Sequence, residues 1–131
     1  MKTVRIILFT LAGFFAVMVA ISLVMTIGMG ETKKLVIRDV DLSKISDGVY
    51  EGSYHKGRWT YDARVTVRDH RITDVANTNR NMEKAAVINK KIEDEIIKKQ
   101  STRIDVVSRA TVNTRAFQKA VENALESVAK K

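Results

Sequence analysis

The stretch Asp47–Asn77, DGVYEGSYHKGRWTYDARVTVRDHRITDVAN, decides how this chain folds. In its middle, Trp59, Tyr61, Ala63, Val65 and Val67 alternate with Thr60, Asp62, Arg64, Thr66 and Arg68. A period of two gives one apolar and one wet face, the pattern of a half-buried strand. RDHR, Arg68–Arg71, is predicted to be a tight turn, because Asp and His tolerate turn geometry. ITDVAN, Ile72–Asn77, then returns antiparallel. Gly48, Gly52 and Gly57 punctuate the first strand and its loop. Their spacing is not that of a dinucleotide fingerprint, and no helix follows them. Tyr50 and Tyr54 share the other parity of the first strand, which suits either flanking a ligand or covering the core.

Toward the C-terminus the period changes. From Met82 onward, Ala85, Ile88, Ile92 and Ile96 recur at helical spacing. Lys90–Asp94, Lys91–Glu95, Asp94–Lys98 and Glu95–Lys99 are each four apart and read as a solvated helix face. Farther on, Ala116, Phe117, Ala120, Val121, Ala124, Leu125 and Val128 mark an amphipathic helix packed on the sheet. The expected fold class is α+β: a small antiparallel sheet packed with helices.

Toward the N-terminus, Ile6–Met29 carries no charge, and its polar interruptions are Thr10, Ser22 and Thr26. Such a helix reaches about 36 Å, against a hydrocarbon core of about 30 Å. The apolar run is longer than that of a cleaved signal, and Gly28-Met29-Gly30 is a poor cleavage site, so an uncleaved anchor is expected. Lys2, Arg5 and the terminal amine favour a cytoplasmic N-terminus, although Lys33, Lys34 and Arg38 weaken the bias. The expected layout is a cytoplasmic tail over 1–5, a transmembrane anchor over 6–29, a linker over 30–45 and one domain over 46–131. Within the linker, Leu35–Leu42 is expected to form a short edge strand. The domain is expected outside the cytoplasmic membrane, with the lipid bilayer as its first partner.

Composition narrows the chemistry. There is no cysteine among the 131 residues, which excludes disulfides, thiolate nucleophiles, Cys-ligated metals and a lipoprotein anchor. His55 and His70 are the only histidines and lack a partner at metal spacing, so no metal site is expected. Nothing marks a nucleophile elbow around Ser108. The net charge of +8 would suit nucleic acid, an anionic membrane or a phosphate ligand. Trp59 and Tyr61 fall on the apolar face and Arg64 and Arg68 on the other, which favours core packing over a nucleic-acid platform. The anchor argues against a nucleic-acid partner as well.

One segment remains, DVVSRATVNT, Asp105–Thr114, just ahead of the last helical pattern. A helix start has unpaired backbone N–H groups and the positive end of the dipole. One Ser or Thr caps it, adding about 1 kcal/mol. Ser108, Thr111, Asn113 and Thr114 exceed that need, and Arg109 adds a cation. The cluster suits either elaborate capping or an anion site for a phosphate.

DGVYEGSY, VTVRDHRITDV and IIKKQSTRIDVVSRATVNTRAFQKAVENAL occur in this order and together resemble the FMN-binding domain family over about residues 46–127. That domain carries flavin in subunits of the Na⁺-translocating NADH:quinone reductase and of Rnf-type electron-transport complexes, and in small membrane-anchored bacterial proteins. The family motif, approximately Asp-x-x-Ser-Gly-Ala-Thr, maps onto Asp105, Ser108, Arg109, Ala110 and Thr111, with Asn113 and Thr114 following. The resemblance implies FMN as cofactor and Thr111 as acceptor of a phosphoester bond to the FMN phosphate, made by a flavin transferase from FAD outside the cytoplasmic membrane. It also implies an electron carrier rather than a stand-alone enzyme. Arg109 stands where the family has glycine. A Cβ there restricts positive φ and close approach to a ligand, whereas a guanidinium suits a phosphate. The alternative reading is therefore a flavin-free binding or structural module of the same fold. His70 likewise replaces a turn glycine, a milder change.

Overall fold

Two hairpins form the sheet. The computed structural model describes residues 1–79, 85–105 and 110–129. Strands β1 (Gly48–Lys56), β2 (Trp59–Arg68) and β3 (Arg71–Asn77) pair antiparallel in the order β1-β2-β3. Gly57 at φ +56° opens the first turn. Asp69 and His70, at φ 49° and 58°, form the second. Positive φ at both central residues is the type I′ pattern, whose twist matches the flanking strands. The predicted RDHR turn is therefore found. His70 tolerates the position and puts it to use: its Nδ1–H donates to the Ile45 carbonyl at 3.0 Å.

Alternation holds throughout β2, where Tyr61, Ala63, Val65 and Val67 are buried and Arg64 and Arg68 are exposed. It breaks in β3. Thr66 faces Asp74 but Val67 faces Ile72, so Thr73 is the extra residue of a bulge. The bulge lets Ile72 and Val75, three apart, both reach the core.

Helices α3 (Ala86–Lys99) and α4 (Thr111–Ala129) cover that face. Ile92 and Ile96 of α3, and Ala116, Phe117, Ala120, Val121, Ala124 and Leu125 of α4, are buried with β2 and β3. Tyr61 stacks on Phe117 with ring centroids 5.4 Å apart. The expected start of α3 near Met82 lies outside the described residues. Of the four predicted pairs on its solvent face, Lys90–Asp94 closes at 2.8 Å and Glu95–Lys99 at 4.0 Å. Gln100, in left-handed geometry at the end of α3, accepts from the Ile72 N–H and donates to the Ile72 carbonyl, each at 2.8 Å. Its amide replaces a neighbouring strand at the β3 edge.

Segment 35–41 forms no strand, contrary to expectation. The Arg38 N–H donates to Glu122 Oε2 at 3.1 Å, and its carbonyl accepts from the Thr102 hydroxyl at 2.6 Å. Side chains thus satisfy the backbone groups that a strand ladder would have used. A 3₁₀ turn follows at Leu42–Lys44, and Ile37 and Ile45 are buried. The architecture is α+β, a three-stranded antiparallel sheet packed with helices, as the sequence predicted.

Ahead of it runs α1 (Lys2–Thr26), with no buried residue. Thr10 and Thr26 return their hydroxyls to backbone carbonyls of the same helix. Within Lys2–Lys33 an 18-residue stretch has a mean hydropathy of 2.6, long and apolar enough for a membrane span or a signal sequence. Gly28 at φ +80° breaks the helix, and the short α2 (Met29–Lys33) follows.

Candidate functional site

Helix α4 begins at Thr111. The Ala110 carbonyl accepts from the Thr114 N–H and from the Thr114 hydroxyl, both at 2.8 Å. Thr114 is fully buried, and this back-bond commits its proton inside the helix. Residues 111, 112 and 113 come before the first closed turn, so their N–H groups have no partner within the helix. Thr111, Val112 and Asn113 are half-buried there.

Ala110, Thr111, Val112 and Asn113 form one wall of a cleft of about 260 Å³; Lys33 of α2 and Trp59 of β2 complete it. Two of its polar atoms, Trp59 Nε1 and Asn113 Oδ1, are shielded from solvent without a hydrogen-bond partner among the described residues. A buried polar atom left unpaired costs about 1–3 kcal/mol. Arg115 lies four residues after Thr111, on the same helical face, and its buried Nε is also unpartnered among the described residues.

The predicted site residues divide. Ala110, Thr111 and Asn113 meet at the cleft. Thr114 faces the core. Asp105 is exposed and pairs with Lys99 at 2.9 Å. The hydrogen bond from that ammonium holds the Asp105 carboxyl below the usual range, and the charge of Lys99 adds to the effect. Ser108 and Arg109 lie outside the described residues. Sequence reasoning missed Lys33, which it counted only as a topogenic charge; Trp59, read as core packing, does pack against the core and also lines the cleft. Tyr50 and Tyr54 cover the core edge, and their hydroxyls bond Ser46 and Thr32. Among the described residues no cluster of three metal-ligating side chains occurs.

The model of one family, the FMN-binding domain, matches residues 12–126. The chain belongs to the FMN-binding domain family. No curated protein matches it. FMN carries a phosphate, a hydroxylated ribityl chain and a ring system with both donors and acceptors. The cleft gives this FMN-binding domain a helix start, the Lys33 cation and the Thr111 hydroxyl beside an indole, a lining that fits such a molecule. Family membership makes FMN the expected cofactor.

Proposed function

We propose that this chain is a membrane-anchored flavin carrier that holds FMN by its phosphate at the start of α4, with Thr111 as the covalent acceptor. The observation that carries the reading is Thr111 itself: it is the first residue of α4 and lines the cleft. The N–H groups of residues 111–113 and the positive end of the α4 dipole favour an anion there. Asn113 and Trp59 line the same space. Arg109 stands two residues before Thr111 in the sequence, and a guanidinium is a group that suits a phosphate.

In the acceptor role Thr111 Oγ1 forms a bond to phosphorus as the P–O–P link of FAD breaks. AMP leaves and the hydroxyl proton is released, with a flavin transferase as catalyst. When bound, FMN supplies one- and two-electron redox chemistry. The chain's own residues hold and orient it and keep part of the cleft dry. Acid or base side chains are not required of the carrier.

Several features support a location outside the cytoplasmic membrane. The N-terminal helix is long and apolar enough to span, and Lys2 and Arg5 lie at its start, ahead of the uncharged run, without an acid. The anchored reading also places the domain where a transferase of the implied kind works.

Co-expression with a flavin transferase followed by a denaturing gel tests covalency. A fluorescent band that disappears in Thr111→Ala is expected. Fluorescence that survives Thr111→Ala would move the acceptor elsewhere. A dark wild-type band, with no FMN uptake by the purified chain, would favour the flavin-free module.

A further inference from the structure

Lys33 lines the cleft from outside the family motif. We infer that Lys33 is the cation that binds the phosphate of the flavin, so that the elbow between the apolar helix and the domain forms part of the cofactor site. The inference rests on the FMN reading above.

The elbow fixes where Lys33 lies. Gly28, at φ +80°, turns the chain out of α1. Thr32 is fully buried; its hydroxyl donates to the Gly28 carbonyl at 2.6 Å. Its single proton is thereby used, so at 2.9 Å Tyr54 Oη is the donor and Thr32 Oγ1 the acceptor. Glu31 pairs with Lys56 at 2.6 Å. Thus α2 is tied to β1 through Glu31 and Thr32, and Lys33, its last residue, lines the cleft with Thr111.

Charge supports the role. The one acid of α2, Glu31, is taken by Lys56. Lys33 has no carboxylate within salt-bridge distance among the described residues, a state it shares with Lys2, Lys34 and Lys91, but of these four it alone lines the cleft. An ammonium with no counter-ion among the described residues, lining the same cleft as a helix start whose first N–H groups have no partner within the helix, suits a phosphate between them. A phosphate at Lys33 could come from FMN or from a lipid headgroup. The shared lining with Thr111 favours FMN.

The test uses the full chain in neutral detergent, purified without the transferase, and titrates FMN and riboflavin separately. Riboflavin lacks the phosphate. Lys33→Met is expected to weaken FMN binding about tenfold or more, as for the loss of a hydrogen bond to a charged group, and to leave riboflavin affinity unchanged. Lys34→Met, one residue on and outside the cleft, should change neither. A Lys33→Met chain that binds FMN as the wild type does overturns the inference while leaving the flavin reading intact. So does an equal loss for both ligands, which would mark a structural role. If Lys33→Met instead lowers binding only to vesicles containing phosphatidylglycerol, relative to phosphatidylcholine alone, the lysine serves a lipid headgroup and the inference falls. Wild-type chain that takes up neither flavin sinks the functional reading itself.

Discussion

At the scale of single residues, Tyr61 shows how a favourable pattern can hide a cost. Its ring is fully buried against Phe117, yet its hydroxyl has no hydrogen-bond partner among the described residues. Burial pushes the phenol up to about 12 from 10.0. The fold therefore keeps this proton to a higher pH than the unfolded chain does. Its contribution is fully present below pH 10.0 and is lost as pH rises toward about 12. Tyr61→Phe keeps the ring and removes the hydroxyl. It is expected to stabilise the domain by about 1 kcal/mol at neutral pH and by more at pH 11, where the wild type has begun to weaken. Urea unfolding at the two pH values measures both. Equal stability of variant and wild type at pH 11 would show that the hydroxyl is paired.

At the scale of elements, the contact of β1 with α4 depends on small residues. Gly52 lies mid-strand, and a Cβ there would sit 2.5 Å from the Ala120 carbonyl oxygen and overlap the backbone nitrogen of Ala124. These obstacles are backbone atoms of a helix, which cannot rotate aside. The sequence reading placed Gly52 among glycines that punctuate the strand; the structure gives it a packing role in the strand's interior. Gly52→Ala should push α4 from the sheet and cost about 3 kcal/mol. A drop in urea midpoint, followed by Trp59 fluorescence, is the readout. The same displacement would move the start of α4, so FMN affinity should fall with stability. An unchanged midpoint would mean that strand and helix are not in this close contact.

For the whole molecule, the question is how the apolar helix is joined to the domain. Segment 30–45 reads in sequence as a linker, yet Thr32, Ile37 and Ile45 are buried in the fold. The hairpin tip meets the end of α1: a Cβ on Gly57 would lie 2.5 Å from the Ile27 carbonyl oxygen, and Arg58 reaches the Met25 sulfur at 3.2 Å. Gly57 also needs its φ of +56°, which costs a residue with a Cβ about 1–2 kcal/mol. Gly57→Ala should therefore loosen the elbow without unfolding the sheet. Trypsin in detergent is expected to cut after Lys33 and Lys34 several-fold faster in the variant, with the circular dichroism of the domain retained. An unaltered cleavage rate would show that the hairpin does not hold the elbow.

The sequence by itself determined what depends on local period and local geometry. The alternation of β2, the turn at Asp69–His70, the buried faces of α3 and α4 and the long apolar N-terminal run were legible, because each is a relation between residues a few positions apart. The helix start at Thr111 was legible for the same reason, as an excess of capping side chains around it. Only the tertiary structure decided which of these residues share one space. It put Thr114 into the core, paired Asp105 with Lys99 and brought Lys33 and Trp59 to the start of α4. It also gave the Arg38 backbone to Glu122 and Thr102, where the sequence suggested a strand. The physical reason is the same throughout. A periodic pattern states that a face must be buried, but the partner is chosen by close packing and by the pairing of every buried polar group.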